Sequence, residues 1–596
     1  MDKVFVLLEF ALMILLVWIA EYAVKKPSNK WRLFYSAPIF VALALAIAEG
    51  FDIYLTGIYV ASALPLLCLF VEDSKVRKKQ RIAAFGALII AAEFVLILTA
   101  PGYNRIAFLD DFEQGFATMR EHYVLTEEKG IDWDGLYEKY RPMFEAVEES
   151  QDAVENYKAW QRFTTEFFDG HVQYLMNSEA KGLDAICCSY GNDYGLSLAR
   201  TAAGEFVAIN VEGCANSYSV NGTEEDELGF YAVKKKYMPR LTETERLTLK
   251  NAGIKNGTVI TKWNGKSIDS FYDRVDYYFN QNPVRENEEF YLPMYVAGIG
   301  RDMGYGETYV PKKKQGAFDK EPPVATISFL DENGTEQTVN APNLGSYAPR
   351  MFDTFGKLED GIKLTNLNWQ EIDEETYCIR ISEMSYDQET YGGTVYREMT
   401  DQLRQEVLAL KAAGVKNIIF DLRSNSGGSP YFVNAIAQLF APKGEHTAFY
   451  SAVINEKTAS FDRGEDGRYK LGVPSGYVGE DLWHNGQIIL LVSSMTVSAG
   501  DDMVYVMGEF PNVKVMGFTE SNHSCQAVSA LELTVGRLAF SAVPNLQPDG
   551  EVAIDTLADH KSRMPFDEYV PFDQAAIRSV FEEGEDYLLQ YIAEKF

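Results

Sequence analysis

The stretch "LLVSSMTVSAGDDMVYVMGEF", residues 490–510, decides the fold. An apolar run over residues 488–492 leads into small and hydroxylated residues, and an amphipathic segment follows. This order predicts a buried strand, a tight turn and a helix that begins near Ser498. A serine at such a junction lies beside backbone N–H groups and a helix N-terminus, which can stabilise an oxyanion. Because a serine alone is a poor nucleophile, its activation requires a second residue that accepts its proton.

Alternating strand and helix patterns surround that stretch. Residues 377–381 are predicted as a strand and residues 396–413 as a helix. The segment "VKNIIFDLRSNSGG", residues 415–428, combines a buried strand with a glycine turn. Together with the strand at residues 487–492, these elements predict a layered α/β core, which we assign to residues 348–596.

The N-terminus has a different pattern. Four apolar segments of about the length of a membrane-spanning helix follow one another: residues 4–24, 33–48, 53–71 and 82–100. Lysine and arginine are concentrated in the first and third connections, whereas the middle connection is acidic. The pattern predicts four transmembrane helices in residues 1–101, with the remainder of the chain extracytoplasmic. We therefore expect an integral protein of the cell membrane, with membrane lipid as a partner.

The net charge of the chain is −31. Nucleic-acid binding requires clustered lysine and arginine, so this charge argues against nucleic acid as a partner.

Two regions separate the apolar segments from the α/β core. Residues 102–184 carry amphipathic helical patterns that end in "DGHVQYL", residues 169–175. Residues 185–347 change to short strands and turns, for example "AGIKNGTVITKWNGKSI" at residues 252–268. The sequence thus divides into four parts.

Four stretches resemble, in their order, the tail-specific or C-terminal-processing serine peptidases and the related tricorn core: "IDWDGLYEKY" (131–140), "TEFFDGHVQYL" (165–175), "IIFDLRSNSGG" (418–428) and "SSMTVSAGDDM" (493–503). The resemblance covers residues 107–596, and the strand–turn segment described above is similar to part of a PDZ module. It implies a crotonase-like ββα serine peptidase core with an inserted PDZ-like domain, and no metal or cofactor. The expected fold class is therefore α/β: four N-terminal transmembrane helices, a helical region, a PDZ-like domain and the peptidase core.

The resemblance also implies site residues. Ser498 is the expected nucleophile, and the backbone N–H groups of Gly427 or Gly428 together with Ala499 are the expected oxyanion donors. The alternatives are that Ser498 only caps a helix and that the two glycines only form a turn. In the PDZ-like domain, Gly195 and Leu196 of "GLSL" are expected to hold a substrate's C-terminal carboxylate.

The residue that accepts the proton is less obvious. The lysine that most tail-specific peptidases carry after the serine is missing from "GFTESNHSCQ", residues 517–526. His171 lies where tricorn-like members carry their base, and His523 lies near the lysine's place; an imidazole suits proton transfer near neutral pH. We favour His171, with His523 as the alternative base. The orienting acid is left open between Glu551 and Asp555.

These observations predict a membrane-anchored serine endopeptidase that cleaves extracytoplasmic polypeptides through an acyl-enzyme, with the substrate recognised by its C-terminus. The alternative is a non-catalytic peptide-binding receptor or scaffold built on a degenerate peptidase fold.

Overall fold

The structure is a computed structural model, and the residues from 107 onwards belong to one compact unit, Ala107–Phe596. The residues it describes are 106–176, 190–211, 241–272, 284–303, 307, 313–314, 317–318, 322–359, 367–384, 394–455, 460–553, 556–559 and 561–596.

Three helices and a strand form the N-terminal part: α1 Phe108–His122, α2 Trp133–Ser150, α3 Ala153–Thr165 and β1 Gln173–Met176. Two of the helices begin at aspartates, because the carboxylates of Asp132 and Asp152 accept hydrogen bonds from N–H groups of the first turn. The helices meet through buried aromatic rings; those of Phe112 and Trp160, for example, lie 6.0 Å apart.

A module of short strands and helices follows: β2 Asn192–Asp193, β3 Ser197–Arg200, β4 Phe206–Ile209, α4 Glu243–Arg246, α5 Thr248–Ala252, β5 Ile260–Trp263, α6 Arg285–Val296, β6 Lys313–Lys314, β7 Ala317–Phe318, β8 Val324–Leu330, β9 Glu336–Pro342, β10 Gly345–Ser346 and α7 Ala348–Glu359. Strands β3 and β4 form a hairpin, and β5, β8 and β9 form an antiparallel sheet. Helix α6 packs against β3. Trp263 and Tyr291 are fully buried in the core of this module.

The peptidase core contains the remaining elements: β11 Leu367–Glu371, β12 Thr376–Ile381, α8 Thr394–Ala413, β13 Asn417–Asp421, α9 Pro430–Phe440, β14 Gly444–Ala452, β15 Ile454–Asn455, β16 Ser460–Phe461, β17 Leu471–Gly479, β18 Gln487–Leu491, α10 Ala499–Gly508, β19 Val513–Gly517, β20 Ala527–Glu532, β21 Gly536–Val543, β22 Asn545–Leu546, β23 Glu568–Tyr569, α11 Gln574–Arg578 and α12 Tyr587–Lys595.

One mixed sheet organises this core, with strand order β11-β12-β13-β18-β19-β23. Strand β11 is antiparallel to β12, and the other neighbours are parallel. Strand β13 is entirely buried and β18 nearly so, which accounts for their continuous apolar sequences. The predicted strands and helices of the core are observed with ends shifted by no more than two residues.

A second sheet joins the N-terminal part to the core. Strand β1 pairs with β21, so that Gln173 lies opposite Ala539, and β21 in turn pairs with β20. The segment just before β1, which carries His171, is thereby held against the core. A base at position 171 can reach Ser498 only if the N-terminal part packs against the core, and the pairing of β1 with β21 provides this packing.

The membrane predictions are corrected. No helix in the described part of the chain is long and apolar enough to cross a membrane. The longest described helix, α8, has 20 residues, but it includes charged residues such as Arg404 and Lys411, which are costly in a bilayer. The structure shows a mixed α/β fold, and the predictions of a four-span fold class and an integral membrane protein were wrong on this finding. The four apolar segments themselves lie outside the described residues.

Candidate active site

Ser498 lies at the junction between the end of β18 and the start of α10. Its backbone is in an unusual conformation, with φ 61° and ψ −125°, which is strained for a residue other than glycine. The side chain makes no capping hydrogen bond to the helix and is partly exposed. The helix-cap alternative therefore does not describe this serine, and its hydroxyl is available for other chemistry.

Two other hydroxyl groups of the turn have structural partners. Ser493 Oγ donates to the carbonyl of Arg423 at 2.5 Å, and Thr496 Oγ1 donates to the carbonyl of Leu422 at 2.7 Å. These bonds attach the turn before Ser498 to the segment that follows β13. They also distinguish Ser498, whose hydroxyl makes no hydrogen bond within the described residues.

The two glycines of the segment after β13 have different surroundings. A Cβ atom at Gly427 would lie 2.4 Å from Ser498 Cβ and 2.9 Å from Ser498 Oγ, so only glycine permits this close approach. The Gly427 N–H donates to Asn425 Oδ1 at 2.9 Å and is therefore already used. Among the described residues, the N–H groups of Gly428 and Ala499 have no acceptor. Of the three N–H groups expected from the sequence, only that of Gly427 is thus already used in the described part of the chain.

The 169–171 turn, which consists of Asp169, Gly170 and His171, reaches this site through Ser524. The Gly170 N–H donates to Ser524 Oγ at 2.7 Å, and the Ser524 carbonyl accepts the Ser498 N–H at 2.8 Å. A side chain at position 170 has no space, because its Cβ would lie 2.9 Å from Ser524 Oγ and closer still to its neighbour Asn522. The structure thus brings the turn of the predicted base to the backbone of the predicted nucleophile.

His171 is buried, with 7% of its surface exposed. Neither ring nitrogen makes a hydrogen bond within the described residues. Burial lowers the pKa of His171, and the nearby charge of Asp169 opposes part of that shift. The imidazole is therefore neutral at pH 7 and able to accept a proton.

Asp169 was not singled out from the sequence, where it looks like one member of a turn pair. Its carboxylate accepts hydrogen bonds from Tyr123 Oη at 3.1 Å, Ser541 Oγ at 2.8 Å and the His171 N–H at 2.8 Å. The bonds from Tyr123 and Ser541 attach the 169–171 turn to the end of α1 and to β21. Only the three-dimensional structure identifies this role, since Ser541 is remote in sequence.

His523 is fully buried and has a left-handed backbone, with φ 62°. Burial, helped by the charge of Lys129, lowers the pKa of His523 to about 3. Its Nε2 lies 3.5 Å from Glu520 Oε2, yet neither ring nitrogen makes a hydrogen bond within the described residues. An imidazole this difficult to protonate is a poor general base at neutral pH.

This pKa shift predicts a dependence of stability on pH. The unfolded chain takes up a proton on His523 near pH 6.5, whereas the folded chain resists it down to about pH 3. The stability that the neutral His523 contributes is therefore fully present above about pH 6.5 and is lost as the pH falls toward 3. We expect His523→Asn to lose less stability between pH 7 and pH 5 than the wild type does, as measured by urea unfolding. The exposed His484→Asn is the matched control, and an equal loss in all three proteins would contradict the assignment.

The candidate orienting acids are Glu551 and Asp555. Glu551 is exposed, and its carboxylate accepts a hydrogen bond from Arg468 Nη2 at 2.7 Å. Asp555 lies outside the described residues. Its neighbour Thr556 accepts a hydrogen bond from Lys129 Nζ at 3.1 Å. Lys129 also donates to the carbonyl of Phe168 at 2.8 Å and so links Thr556 to the residue just before the 169–171 turn. The sequence did not single out Lys129.

Gly195 and Leu196 lie in the inserted module, apart from the groups around Ser498. Leu196 is fully buried, and the Gly195 N–H donates to Asp193 Oδ1 at 2.8 Å. A Cβ at Gly195 would lie 2.9 Å from the Leu249 side chain. The loop is thus closed by packed side chains.

Comparison with known proteins identifies two regions of the chain. Residues 376–550 match peptidase family S41, and residues 107–155 match the tricorn protease C1 domain. No curated protein matches the sequence.

Several solved structures are similar in fold. Mature CPAF complexed with lactacystin is 12% identical, with 82% of this chain and 98% of that chain covered and a TM-score of 0.48. The photosystem II D1 C-terminal processing protease is 12% identical, with 80% and 98% covered and a TM-score of 0.31. The tricorn protease is 13% identical, with 82% and 36% covered and a TM-score of 0.28. The chain is thus a serine-type peptidase in which the segment that contains Ser498 matches peptidase family S41 and the first helices match the tricorn protease C1 domain.

Proposed function

We propose that the protein hydrolyses peptide bonds of polypeptides through an acyl-enzyme formed on Ser498. The observation that carries this proposal is the geometry of Ser498 itself. Within the described residues its hydroxyl makes no hydrogen bond, Gly427 approaches it closely, and the N–H groups of Gly428 and Ala499 have no acceptor. Backbone strain such as that of Ser498 is retained where the surrounding structure enforces it, commonly at active sites.

The reaction proceeds in two halves. Ser498 Oγ attacks the carbonyl carbon of the scissile bond while His171 takes its proton, and the N–H groups of Gly428 and Ala499 hold the oxyanion. As the C–N bond breaks, the proton passes from His171 to the leaving amine. Water then attacks the acyl carbon, again through His171, and releases the new carboxyl end and free Ser498.

His171 is preferred as the base for two reasons. Its turn is hydrogen-bonded to the segment that holds the Ser498 backbone, and its imidazole is neutral near pH 7. His523 directly precedes Ser524, whose carbonyl accepts the Ser498 N–H, but the pKa of His523, about 3, makes its imidazole a weak proton acceptor. In the structure His171 makes no hydrogen bond to Ser498; catalytic hydrogen bonds are often long in an unliganded enzyme and shorten when substrate binds.

Asp555 is the proposed orienting acid. Glu551 pairs with Arg468 at the surface, which favours Asp555 over Glu551. Asp555 directly precedes Thr556, which Lys129 links to the 169–171 turn. An orienting carboxylate holds the tautomer of His171 that accepts the serine proton.

We do not extend the proposal to recognition of a substrate's C-terminus by Gly195 and Leu196. The Gly195 N–H already donates to Asp193 Oδ1, and recognition of a substrate's C-terminus stays a prediction from the sequence.

The proposal is tested by incubating the full chain with an extended polypeptide such as reduced, alkylated casein and detecting new termini by mass spectrometry. We expect cleavage by the wild type, with a burst of the first product as the acyl-enzyme accumulates. Binding of the polypeptide without any cleavage would instead support the receptor alternative.

The close approach of Gly427 gives a separate prediction. In Gly427→Ala the new methyl group would meet Ser498 Cβ at 2.4 Å, so the nucleophile must move. We expect kcat to fall by about a hundredfold, since a displacement of about 1 Å can cost that much.

The matched control for this prediction is Gly414→Ala. Gly414 also has a positive φ, of 92°, but its Cβ would meet nothing within 4 Å. This variant shares the backbone cost, about 1 kcal/mol, but should keep its kcat. Equal kcat values in the two folded variants would contradict the proposed place of Gly427.

A further inference from the structure

Ser524 joins three parts of the site at once. It is fully buried, and its N–H donates to Asp501 Oδ2 at 2.9 Å, which fixes it to the first turn of α10. Its carbonyl accepts the Ser498 N–H at 2.8 Å, and its hydroxyl accepts the Gly170 N–H at 2.7 Å. The backbone of Ser524 thus holds the nucleophile, while its side chain holds the turn of the base.

The hydroxyl of Ser524 is the direct hydrogen-bonded link between these two parts. The other hydrogen bonds of the 169–171 turn that the structure describes go elsewhere: those of Asp169 lead to Tyr123 and Ser541. Gly170 and Ser524 are 354 positions apart in sequence. This hydrogen bond therefore ties the turn of the base directly to the residue that holds the Ser498 backbone, whereas the β1–β21 pairing and the bonds of Asp169 attach the turn to other parts of the chain.

The ring of His171 cannot correct a misplaced backbone. Neither of its nitrogens makes a hydrogen bond within the described residues, so packing and the backbone of the turn determine where the ring lies. A shift of the turn by about 1 Å is enough to lower a catalytic rate by up to a hundredfold.

We propose that Ser524 is a positioning residue, whose hydroxyl sets the location of the 169–171 turn, and hence of His171, relative to Ser498. In this role Ser524 acts through His171 and takes no part in the bond-making steps. The inference rests on the proposed function for its catalytic consequence, but the contact between Ser524 and Gly170 is independent of it.

The test compares two serine-to-alanine changes in the same loop. Ser524→Ala leaves the buried Gly170 N–H without its acceptor. Ser521 is also buried, at 2% exposed, but its hydroxyl makes no hydrogen bond within the described residues. Ser521→Ala is therefore the matched control.

Kinetics of the full chain give the first measurement. We expect Ser524→Ala to lower kcat by about tenfold to a hundredfold with KM within about twofold, because positioning of the base acts on the chemical step and not on substrate binding. Ser521→Ala should keep both constants. A wild-type kcat in folded Ser524→Ala, or an equal loss in Ser521→Ala, would overturn the proposal.

A double-mutant cycle separates positioning from general stabilisation. If Ser524 acts through His171, then Ser524→Ala should lower kcat by less than about twofold in the His171→Ala background. A purely structural effect would instead lower kcat by the same factor in both backgrounds.

Hydrogen exchange keeps the inference testable without activity. The amide hydrogens of the peptide that covers residues 168–176 should exchange faster in Ser524→Ala than in the wild type. Their exchange rate in Ser521→Ala should equal that of the wild type. An inactive wild type would refute the proposed function while this measurement still reports the contact. Equal exchange in all three proteins would refute the role of Ser524.

Discussion

Ser498→Ala is expected to abolish turnover, with kcat reduced by on the order of 10⁴-fold to 10⁶-fold. Ser493 and Thr496 cannot replace it, because their hydroxyl groups are bonded to backbone carbonyls and hold the turn in shape. The measurement is the release of new peptide termini at matched concentrations of folded protein. Turnover within tenfold of the wild type would refute Ser498 as the nucleophile.

A companion variant, Ser498→Gly, gives the same loss of turnover with a different effect on stability. The backbone of Ser498 has φ 61°, a conformation that costs about 1–3 kcal/mol for residues other than glycine. Glycine adopts it freely but loses about 0.5–1 kcal/mol through its more flexible unfolded chain. We therefore expect Ser498→Gly to be more stable than Ser498→Ala by about 1 kcal/mol in urea unfolding. Equal or lower stability would show that the position is not strained.

His171→Ala is expected to lower kcat/KM by about a hundredfold to ten-thousandfold, the usual cost of removing a general base. His523→Ala is expected to cost less, because its pKa of about 3 prevents it from accepting a proton at neutral pH. Both variants must be compared as folded proteins, since each removes a buried side chain. The reverse ranking would transfer the role to His523, and equal tolerance of both changes would refute the serine–histidine mechanism.

The same assignment fixes the acid side of the pH profile. His171 works as a base only when neutral, and burial lowers the pKa of His171 below the ordinary value. Activity should therefore persist as the pH falls to about 6.5 and decline only below it. A decline that begins well above that pH would indicate a base with a raised pKa, contrary to the structure.

Local sequence patterns were sufficient for the centre of the fold. The apolar run before Ser498 and the small residues around it predicted the strand, turn and helix that are observed, because burial and capping act within a few residues. The pattern could not tell Gly427 from Gly428. That distinction depends on the Asn425 side chain, which occupies the Gly427 N–H.

Contacts between remote segments were beyond the sequence. The links from Gly170 to Ser524 and from Lys129 to Thr556 span 354 and 427 positions. Counting residues from Ser498 placed His523 near the position of the missing lysine, but the count could not show that His523 is fully buried. Hydropathy likewise predicted four membrane spans on residues that the structure does not describe, and no described helix can cross a membrane.

The most direct test of the account is to map the covalent adduct of a fluorophosphonate probe on the full-length protein by tandem mass spectrometry. A fluorophosphonate reacts with a serine only where the hydroxyl is activated and an oxyanion site receives the phosphoryl oxygen. The account predicts a single adduct on Ser498, which is lost in Ser498→Ala and strongly reduced in His171→Ala. An adduct on another serine, or a folded protein that hydrolyses peptides yet forms no adduct, would contradict it.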